Sequence, residues 1–364
     1  MSGWKTFSLA EVASIERIAI QPEDIAKGTA YLGLEHIESG GAILGAKAVD
    51  EGELASSKFK FTERHLLYGK LRPYLAKIAC PDFAGICSTD ILPVLPGAKL
   101  DRSFLCHFLR QQKMVDFANS RTTGANLPRL NPSTLAEFQI PLPTLSEQRR
   151  IASILNKADA IRRKRKESLR LTEEFIHSTF LEMFGDIPAK KSAYDFGMIR
   201  GLVSAQSGKS SNQVLSQEKT NIPIYGGNGI NGWATKSLFE ENVVVVGRVG
   251  QQCGIIHITD RPAWVTDNAI VIRVTDDKKL HPIYVAEALQ RSPLRSNVEK
   301  LDLPFLNQSV ILDYPIPLPP LDRQVEFVRI REKLFNAKLK LGHSNSKSDD
   351  LFDSLTYRAF KGEL

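Results

Sequence analysis

A proline-containing segment occurs twice in this chain, and its two copies begin 176 residues apart in a sequence of 364 residues. The first copy, IPLPTLSEQRRI, begins at Ile140, and the second, IPLPPLDRQVEF, begins at Ile316. At the same separation, NLPRLN at residues 126–131 matches DLPFLN at residues 302–307. Matches that keep one separation over such a distance predict a structural unit that is present twice.

The repeat extends upstream with small changes in the separation. STDILPV, which begins at Ser88, matches VTDNAIVIRV, which begins at Val265, so that Asp90 is aligned with Asp267. Both aspartates precede a predicted strand, which favours a role in capping a turn. The openings of the two halves also match, as WKTFSLAEV near residue 4 and AYDFGMIRGL near residue 193. The repeat therefore covers nearly the whole chain.

Each proline segment leads into a long pattern of apolar residues at helical spacing. In the first half this pattern predicts a helix from Ser146, as N-cap, to Phe184, with Gly185 and Pro188 as its end signals. Such a helix is about 60 Å long at 1.5 Å per residue, which exceeds the width of a domain of about 150 residues. It must therefore leave its own domain and pack its apolar stripe on a second stripe.

The helix after the second proline segment supplies that second stripe. Its centre, LGHSNSKSDD at residues 341–350, is polar and contains a glycine, so a break or loose packing is expected there. The sequence favours antiparallel pairing of the two helices. The alternative is that each helix folds back on its own domain.

These observations predict an α+β fold that consists of two tandem repeats. Each repeat is a mixed α/β domain followed by a long helix, and the two helices pair as an antiparallel coiled coil with pseudo-twofold symmetry. The predicted boundaries are residues 1–143 for the first domain, 144–186 for its helix, 187–319 for the second domain and 320–364 for its helix.

The charge and hydropathy of the chain limit its partners and its location. The net charge is +7, the pI is about 9.1, and five basic residues, RRKRK, occupy positions 162–166. Such a run is typical of a solvated helix face, and contact with DNA or with a partner subunit is the alternative. No apolar run reaches 18 residues and no signal peptide is recognisable, so we expect a cytoplasmic protein.

The sequence contains no recognisable catalytic or cofactor-binding motif. SGKSS at residues 207–211 lacks the first glycine of a phosphate-binding loop, because Val203 stands at that position. The four cysteines lack CxxC spacing, and the histidines lack partners at the spacing of metal ligands. The carboxylate cluster of a nuclease and the nucleophile motifs are also missing. We therefore predict a binding protein with no catalytic residues, no metal and no cofactor of its own.

Two segments of the first half and the end of the chain resemble one known family. IPLPTLSEQRRIASILNKADAI follows TTGANLPRLNPSTLAEFQ, and SLTYRAFKGEL closes the chain. This combination resembles the specificity (S) subunit of bacterial and archaeal type I restriction–modification enzymes. The resemblance implies two target-recognition domains, each with a spacer helix and each reading one half of a split target in double-stranded DNA. The second copy departs from the first at Asp322 and Arg323, where the first has Ser146 and Glu147.

The resemblance also implies partners that carry the chemistry. One S subunit joins two methyltransferase (M) subunits, which bind S-adenosylmethionine and methylate adenine. Two motor-nuclease (R) subunits can be added, and these use ATP and cut DNA. The paired helices would fix the spacing of the half-sites and dock the M subunits.

Two other functions stay open at this stage. One is a self-contained DNA-modifying enzyme whose catalytic residues are not recognisable, and the other is a coiled-coil interaction protein that binds no DNA. Co-purification with M subunits separates them from the specificity subunit. The DNA target and its spacer length cannot be read from the sequence.

The side chains expected to contact DNA lie in loops near predicted strands. Lysine and arginine contact phosphates, arginine pairs with guanine, and asparagine or glutamine pairs with adenine in the major groove. The candidates in the first domain are Arg64, Lys70, Arg72 and Arg129, and those in the second domain are Asn228, Asn231, Arg248, Gln251 and Gln252. Pro128 and Asn131 recur in the second half, so we assign them to the shared frame and not to base choice.

The repeated proline segment supplies the candidates for a subunit interface. Its strand would fix how each helix leaves its domain. The candidate residues are Pro141, Pro143, Leu145, Gln148, Pro317, Pro319, Leu321 and Gln324.

Overall fold

A computed structural model describes residues 3–50, 52–298 and 305–364, without the side chains of residues 297–298 and 340–347. The chain divides into two units: Met1–Lys166 with His343–Leu364, and Glu167–Gly342. We call these unit 1 and unit 2. Both boundaries fall inside a long helix, so each unit contains one α/β domain and a segment of both long helices.

Unit 1 is built on two main sheets. Its strands are β1 (Thr6–Ser8), β2 (Ala13–Ile15), β3 (Ala19–Ile20), β4 (Ala30–Leu32), β5 (Lys47–Ala48), β6 (Lys58–Phe61), β7 (Leu66–Gly69), β8 (Ile78–Ala79), β9 (Gly85–Cys87), β10 (Ile91–Pro96) and β11 (Gln139–Pro141). Its helices are α1 (Leu9–Val12), α2 (Arg102–Arg110), α3 (Gln112–Asn119), α4 (Pro132–Ala136) and the first part of α5 (Leu145–Phe184). The strand orders are β2-β10-β7-β8 and β3-β6-β9-β4-β5, and β1 pairs with β11.

Strands β7 and β10 lie inside the first sheet because both of their faces are apolar. Leu66 and Tyr68 point into the core cluster that α2 covers, whereas Leu67 and Ile91 point into a second cluster. This alternation follows from the period of two along a strand. The central position of β7 fixes where the loop after Gly69 emerges.

Unit 2 repeats this plan with different strand lengths. Its strands are β12 (Phe196–Met198), β13 (Val203–Ser207), β14 (Leu215–Ser216), β15 (Pro223–Gly226), β16 (Gly229–Ala234), β17 (Val244–Gly247), β18 (Ile256–Ile258), β19 (Trp264–Val265), β20 (Ala269–Val274) and β21 (Pro315–Pro317). Its helices are α6 (Pro282–Gln290), α7 (Leu294–Val298), α8 (Gln308–Leu312) and part of α9 (Leu321–Lys361). The strand orders are β13-β20-β17-β18 and β14-β16-β15-β19, and β12 pairs with β21.

The two long helices run antiparallel within each unit, as predicted. In unit 1, Nη2 of Arg150 donates to the carbonyl of Leu364 at 2.7 Å, and the guanidinium of Arg162 lies 4.5 Å from the ring centre of Phe352. In unit 2, the ring centres of Phe180 and Phe327 are 5.4 Å apart, and Nζ of Lys338 donates to Glu173 at 2.5 Å. Later residues of one helix therefore contact earlier residues of the other.

Two expectations about the long helices are corrected. The first helix begins at Leu145, and Thr144, not Ser146, is its cap: Oγ1 of Thr144 accepts from the amide of Glu147 at 3.3 Å. Of the two expectations for the polar centre of α9, the break is wrong, because the backbone is helical from Leu321 to Lys361, and loose packing stays a prediction. Helix propensity penalties of individual residues are small compared with the packing of the flanking turns, so they do not break the helix.

The proline strands join each long helix to its domain. In unit 1, β11 pairs with β1, and Ile140 lies opposite Phe7. In unit 2, β21 pairs in the same way with β12, and Ile316 lies opposite Gly197. The similar openings of the two halves are thus the pairing partners of the proline strands.

A buried glutamine in the first turn of each long helix completes this junction. Nε2 of Gln148 donates to the carbonyls of Lys99 at 3.0 Å and Pro143 at 2.9 Å, and Oε1 accepts from the amide of Asp101 at 2.8 Å. The side chain is 0% exposed. One amide thereby ties the helix to the loop that precedes α2, and it satisfies three backbone groups, of which the carbonyl of Pro143 is buried.

Unit 2 contains the same junction. Nε2 of Gln324 donates to the carbonyls of Lys279 and Pro319, both at 2.8 Å, and Oε1 accepts from the amide of His281 at 2.9 Å. Gln324 is also 0% exposed. The repeated glutamine is therefore a structural residue that fixes the direction in which each helix leaves its domain.

Candidate DNA-binding site

The first candidate site lies where β7 ends at Gly69. The amide of Lys70 donates to the carbonyl of Asp90, and the amide of Leu130 donates to the carbonyl of Lys70, both at 2.9 Å. These bonds bring the loop that carries Arg129 next to the end of the strand. Backbone pairing between distant segments therefore assembles the site.

Asp90 binds both cations of this site. Nε of Arg129 donates to Oδ1 of Asp90 at 3.0 Å, and Nζ of Lys70 lies 3.8 Å from the same oxygen. The hydrogen bond with Asp90 raises the pKa of Arg129. Ion pairs that are partly exposed add only about 0–1 kcal/mol to stability, so the main effect is to fix the direction of the two cations. We call Lys70, Asp90 and Arg129 the unit 1 corner.

Arg72 projects from the same loop on a backbone that is unusual for arginine. Its φ is 51°, in the left-handed region, and Ala76 that follows has a φ of 48°. The amide of Arg72 donates to the carbonyl of Pro128 at 2.8 Å, and its side chain is exposed. Residues other than glycine keep such a conformation only where the surrounding structure holds it, which is frequent at functional sites.

Arg64 lies apart from the other three candidates of the first domain. It is exposed in the turn between β6 and β7, at the opposite end of β7 from Lys70. A strand of this length spans about 13 Å. The structure thus brings together Lys70, Arg72 and Arg129, but not Arg64.

The second candidate site lies at the corresponding strand end, where β17 ends at Gly247. Nη1 of Arg248 donates to Oγ of Ser207 at 3.2 Å, and its guanidinium carbon lies 5.2 Å from the ring centre of Phe305. The amide of Leu306 donates to the carbonyl of Arg248 at 2.9 Å. We call Arg248, Ser207 and Phe305 the unit 2 corner.

A glycine-rich turn between β15 and β16 packs against the end of β17 and the loop that follows it. A Cβ atom on Gly227 would lie 3.1 Å from Cα of Gly247 and 3.6 Å from Cβ of Gln252, so a side chain there would push the two loops apart. Asn228 in this turn and Gln251 in the facing loop are exposed. The contact therefore brings together four candidates of the second domain: Asn228, Arg248, Gln251 and Gln252.

Asn231 lies outside that contact. It is exposed on β16, and its Nδ2 would lie 2.2 Å from a Cβ atom on Gly226. Its side chain therefore occupies the space that Gly226 leaves, beside the turn and not at the corner.

The two corners have the same backbone arrangement. Leu71 pairs with Arg129 in unit 1, and Val249 pairs with Phe305 in unit 2, each in an antiparallel bridge. The left-handed residues correspond as well, since glycines with φ of 65° and 78° at positions 250 and 254 stand where unit 1 has Arg72 and Ala76. The frame is therefore repeated, whereas the exposed side chains differ.

The strand register corrects the alignment of Asp90 with Asp267. Gly69 pairs with Ile91 in unit 1, and Gly247 pairs with Ala269 in unit 2. The residues before these partners are Asp90 and Asn268. Three residues separate β9 from β10 (88–90) and β19 from β20 (266–268), so the two turns have equal length, and the Thr-Asp match in the sequence is displaced by one residue from the structural equivalence. The unit 2 corner thus has an amide where the unit 1 corner has a carboxylate.

Sequence reasoning missed Ser207 and Phe305, which both contact Arg248. A signal for Phe305 was present, since it stands opposite Arg129 in the repeated NLPRLN and DLPFLN segments. Ser207 has no such signal, because only the pairing of β13 with β20 brings it to the corner. Pro128 and Asn131 belong to the frame as predicted, whereas Pro304 lies outside the described residues.

The subunit-interface candidates differ in exposure. Pro141, Leu145 and Leu321 are half-buried, and the buried members are Pro143, Gln148, Pro317, Pro319 and Gln324. The two glutamines have no exposed surface for a partner. Substitution of either glutamine would therefore change an interface only by moving the helix that carries it. The interface itself stays a prediction.

Within residues 3–50, 52–298 and 305–364, no group of three His, Cys, Asp or Glu side chains is placed to hold a metal ion. Over the same described part, no helix is both long enough and apolar enough to cross a membrane.

Comparison with known proteins identifies the family. The model of the family described as "Type I restriction modification DNA specificity domain" matches residues 1–171 and, a second time, residues 192–347. The chain belongs to this family. The double match follows the internal repeat, and the resemblance seen in the sequence is confirmed.

Curated relatives of this specificity-domain protein come from bacteria and archaea. The type I restriction enzyme EcoDI specificity subunit of Escherichia coli is 30% identical over 210 residues, which cover 56% of this chain and 47% of the relative. The MjaIX specificity subunit of Methanocaldococcus jannaschii is 21% identical over 306 residues, which cover 74% and 71%. The chain thus spans about half the length of the EcoDI relative that it matches.

Solved structures of the family share the fold. The crystal structure of a type I restriction–modification S subunit from M. genitalium matches with a TM-score of 0.72 at 15% identity, over 98% of this chain and 96% of that one. A chain from a study of complex assembly in the type I R-M system matches with a TM-score of 0.54 at 19% identity, over 100% and 99%. The predicted fold, with two α/β repeats that each lead into a long helix, is confirmed.

Proposed function

We propose that this chain is the DNA-recognition subunit of a type I restriction–modification complex. Each α/β domain reads one half of a two-part target in double-stranded DNA. The observation that carries the proposal is the pair of corners, which share a backbone frame and a cation but differ in their other side chains. A shared frame supports the same docking geometry, and different side chains support different base choices.

The proposed target-recognition domains are residues 1–143 and 187–319, and the spacer helices are residues 144–186 and 320–364. The candidates that contact DNA are the corner cations with Arg72, Asn228, Gln251 and Gln252. Arg64 and Asn231 stand outside the corners and are assigned to phosphate contacts, which need no shared geometry.

The proposed partners carry out the chemistry. Two M subunits bind S-adenosylmethionine and methylate adenine, and two R subunits add ATP-dependent cleavage. The long helices support docking of these partners, because exposed apolar side chains lie on them in both units. These include Ile161, Leu351 and Tyr357 in unit 1, and Leu171 and Phe175 in unit 2.

Reconstitution with M subunits tests this proposal. The purified chain alone is expected to transfer no methyl group. Addition of its M subunits and S-adenosylmethionine is expected to give methylation at a two-part site, measured by sequencing of methylated adenines. Strong methylation or cleavage by the chain alone would show an enzyme, and failure to join M subunits would favour an unrelated interaction protein.

Single substitutions of Arg72 in unit 1 and Arg248 in unit 2 test whether each domain reads one half-site. Arg248→Ala and Arg72→Ala are each expected to cost about 1–3 kcal/mol of discrimination and to relax one half of the target only. The same variants report a phosphate contact if affinity falls for all sequences and its salt dependence becomes shallower. Relaxation of both halves by one substitution contradicts the assignment of one domain to each half-site.

A further inference from the structure

Phe305 stands at the position of Arg129 but has a different chemistry. Each residue follows the proline of the repeated NLPRLN or DLPFLN segment. Arg129 pairs with Leu71, the residue after Lys70. Phe305 pairs with Val249, the residue after Arg248. Arg129 is bound to Asp90, whereas Phe305 lies against the guanidinium of Arg248. One position of the frame therefore presents a cation in unit 1 and an aromatic ring in unit 2.

The ring of Phe305 is open to solvent. It is 48% exposed, and its bridge partner Val249 is also 48% exposed. Together they form a small apolar surface directly beside the guanidinium of Arg248. An exposed apolar surface at the edge of a polar site is typical of a surface that a partner covers.

DNA offers one apolar group at the edges of its bases in the major groove, the 5-methyl group of thymine. An arginine fork binds guanine in the same groove. An aromatic side chain held beside an arginine therefore matches a thymine next to the base that the arginine contacts. At the same position in unit 1, the guanidinium of Arg129 matches a guanine instead.

We propose that Phe305 is a specificity-determining residue that contacts the 5-methyl group of a thymine in the half-site read by unit 2. This inference rests on the proposed DNA-recognition function and adds a residue and a base to it. Arg248 contacts the neighbouring base, and the cation–π contact with Phe305 holds its guanidinium in place.

Replacement of thymine by uracil tests the contact, because uracil lacks only the methyl group. The full chain, assembled with its M subunits, is titrated with DNA duplexes that contain the target identified by sequencing of methylated adenines. In these duplexes each thymine of one half-site is replaced in turn by uracil. The half-site of unit 2 is the one that Arg248→Ala relaxes. Loss of one buried methyl group is expected to weaken binding about fourfold at a single thymine.

Variants of Phe305 complete the test. Phe305→Ala is expected to remove the fourfold loss of affinity that uracil causes at that thymine, and to leave the effects of uracil at other thymines unchanged. Phe305→Leu keeps an apolar side chain, so the fourfold loss is expected to remain in this variant. Leu215→Ala is the matched control, because Leu215 is 53% exposed on β14 of the same unit. The control should show the uracil effects of the unmodified chain.

Three results would overturn the inference. The first is a Phe305→Ala complex with the same uracil effects as the unmodified complex at every thymine. The second is a unit 2 half-site without thymine, and the third is loss of M-subunit assembly in both Phe305 variants, which would place Phe305 in a subunit interface. Each of these leaves two-part recognition by the unmodified complex intact. Absence of a two-part target would instead refute the proposed function as well.

Discussion

Arg72 presents an exposed guanidinium from a backbone that glycine adopts more easily. The equivalent residue of unit 2 is Gly250, with a φ of 65°. Unit 1 thus keeps an arginine at a position where the fold alone favours glycine. Strain of this kind is consistent with selection for the side chain, and it has a measurable consequence for stability.

Arg72→Gly is expected to fold more stably than Arg72→Ala, by roughly 0.5–1 kcal/mol. The left-handed conformation costs an L-residue about 1–2 kcal/mol, and the greater freedom of glycine in the unfolded chain offsets only part of that gain. Urea unfolding of both variants measures the difference. The control position is Tyr74, which lies in a 3₁₀ turn at negative φ. There the Tyr74→Gly variant should be less stable than the Tyr74→Ala variant. A lower stability of Arg72→Gly than of Arg72→Ala would show that the backbone is not strained.

A buried histidine is expected to make unit 1 sensitive to acid. His107 is buried, which lowers its pKa to about 4, and Nε2 lies 2.8 Å from Oδ1 of Asn156. The unfolded chain has the ordinary pKa of about 6.5, so it binds a proton more readily than the folded chain between these values. The contribution of this neutral histidine to stability is therefore present above about pH 6.5 and is lost as the pH falls towards 4.

His107→Gln should remove this part of the pH dependence. The stability lost by the unmodified chain between pH 7 and pH 4 should exceed that lost by the variant by roughly 3 kcal/mol, if the whole shift is realised. Urea unfolding at a series of pH values measures it. His177→Gln, which makes the same exchange at an exposed position of α5, is the control. Equal pH profiles for the unmodified chain and His107→Gln would contradict the prediction.

Residues of the corners could be predicted only in part from the sequence. Lys70, Arg72, Arg129 and Arg248 were identified because cations in glycine-containing loops are visible in the sequence. The sequence predicts only a turn-capping role for Asp90. Its two ion pairs were not predictable, because they depend on backbone hydrogen bonds between distant segments. The left-handed φ of Arg72 was also not predictable, because arginine, like other residues with a side chain, favours negative φ.

At the scale of elements, the junction of domain and helix depends on one glutamine in each unit. Gln148 makes its three hydrogen bonds to backbone groups of two loops, and no part of it is exposed. The sequence marked this residue through its repetition but indicated an interface role. Repetition alone does not separate a residue that holds the frame from one that binds a partner.

Gln148→Ala is expected to destabilise unit 1 by roughly 1–3 kcal/mol, because it removes the partner of one buried backbone carbonyl, that of Pro143, and of two partly buried backbone groups. Arg149→Ala, one residue along on the exposed face, should change stability by less than about 0.5 kcal/mol. Thermal or urea unfolding compares the two. If Gln148→Ala were as stable as Arg149→Ala, the glutamine would not hold the junction, and an interface role would become the better interpretation.

The long helices were the elements best predicted from sequence. The first was placed at 146–184 and is found at Leu145–Phe184, because apolar periodicity over many turns and a terminal glycine define it. Short strands such as β3 and β5 were not predictable, since two residues carry no period. Their pairing is decided by neighbouring strands that lie far away in the sequence.

At the scale of the whole molecule, the duplication is visible in the sequence because frame residues repeat. The proline strands, the glutamines and the asparagines before α4 and α8 all occupy equivalent places. The division into packing units is not visible, because it falls inside the helices at Lys166 and Gly342 and not at the proline segments. Sequence repeats mark duplication, whereas packing decides which parts contact one another.

We propose that the paired helices set the distance between the half-sites. In unit 1, Nε of Arg162 lies 4.0 Å from Oδ1 of Asp349, and this ion pair marks one point of the pairing of α5 with α9. Four residues along each helix from this contact, still within unit 1, lie the matched insertion points after Lys166 in α5 and after residue 345 in α9. Four residues inserted at each point add about 6 Å, close to two base-pair steps of about 3.4 Å, and rotate the helix by about 40° beyond one turn.

Sequencing of methylated adenines in cells that carry the double insertion and the M subunits tests this claim most directly. Insertion in one helix alone is the control and should weaken folding or M-subunit binding, because it shifts the apolar stripe of one helix against the other. We predict that the double insertion leaves both half-sites unchanged and lengthens the spacer between them by about one or two base pairs. Methylation by the assembled variant at the original spacing would contradict the account.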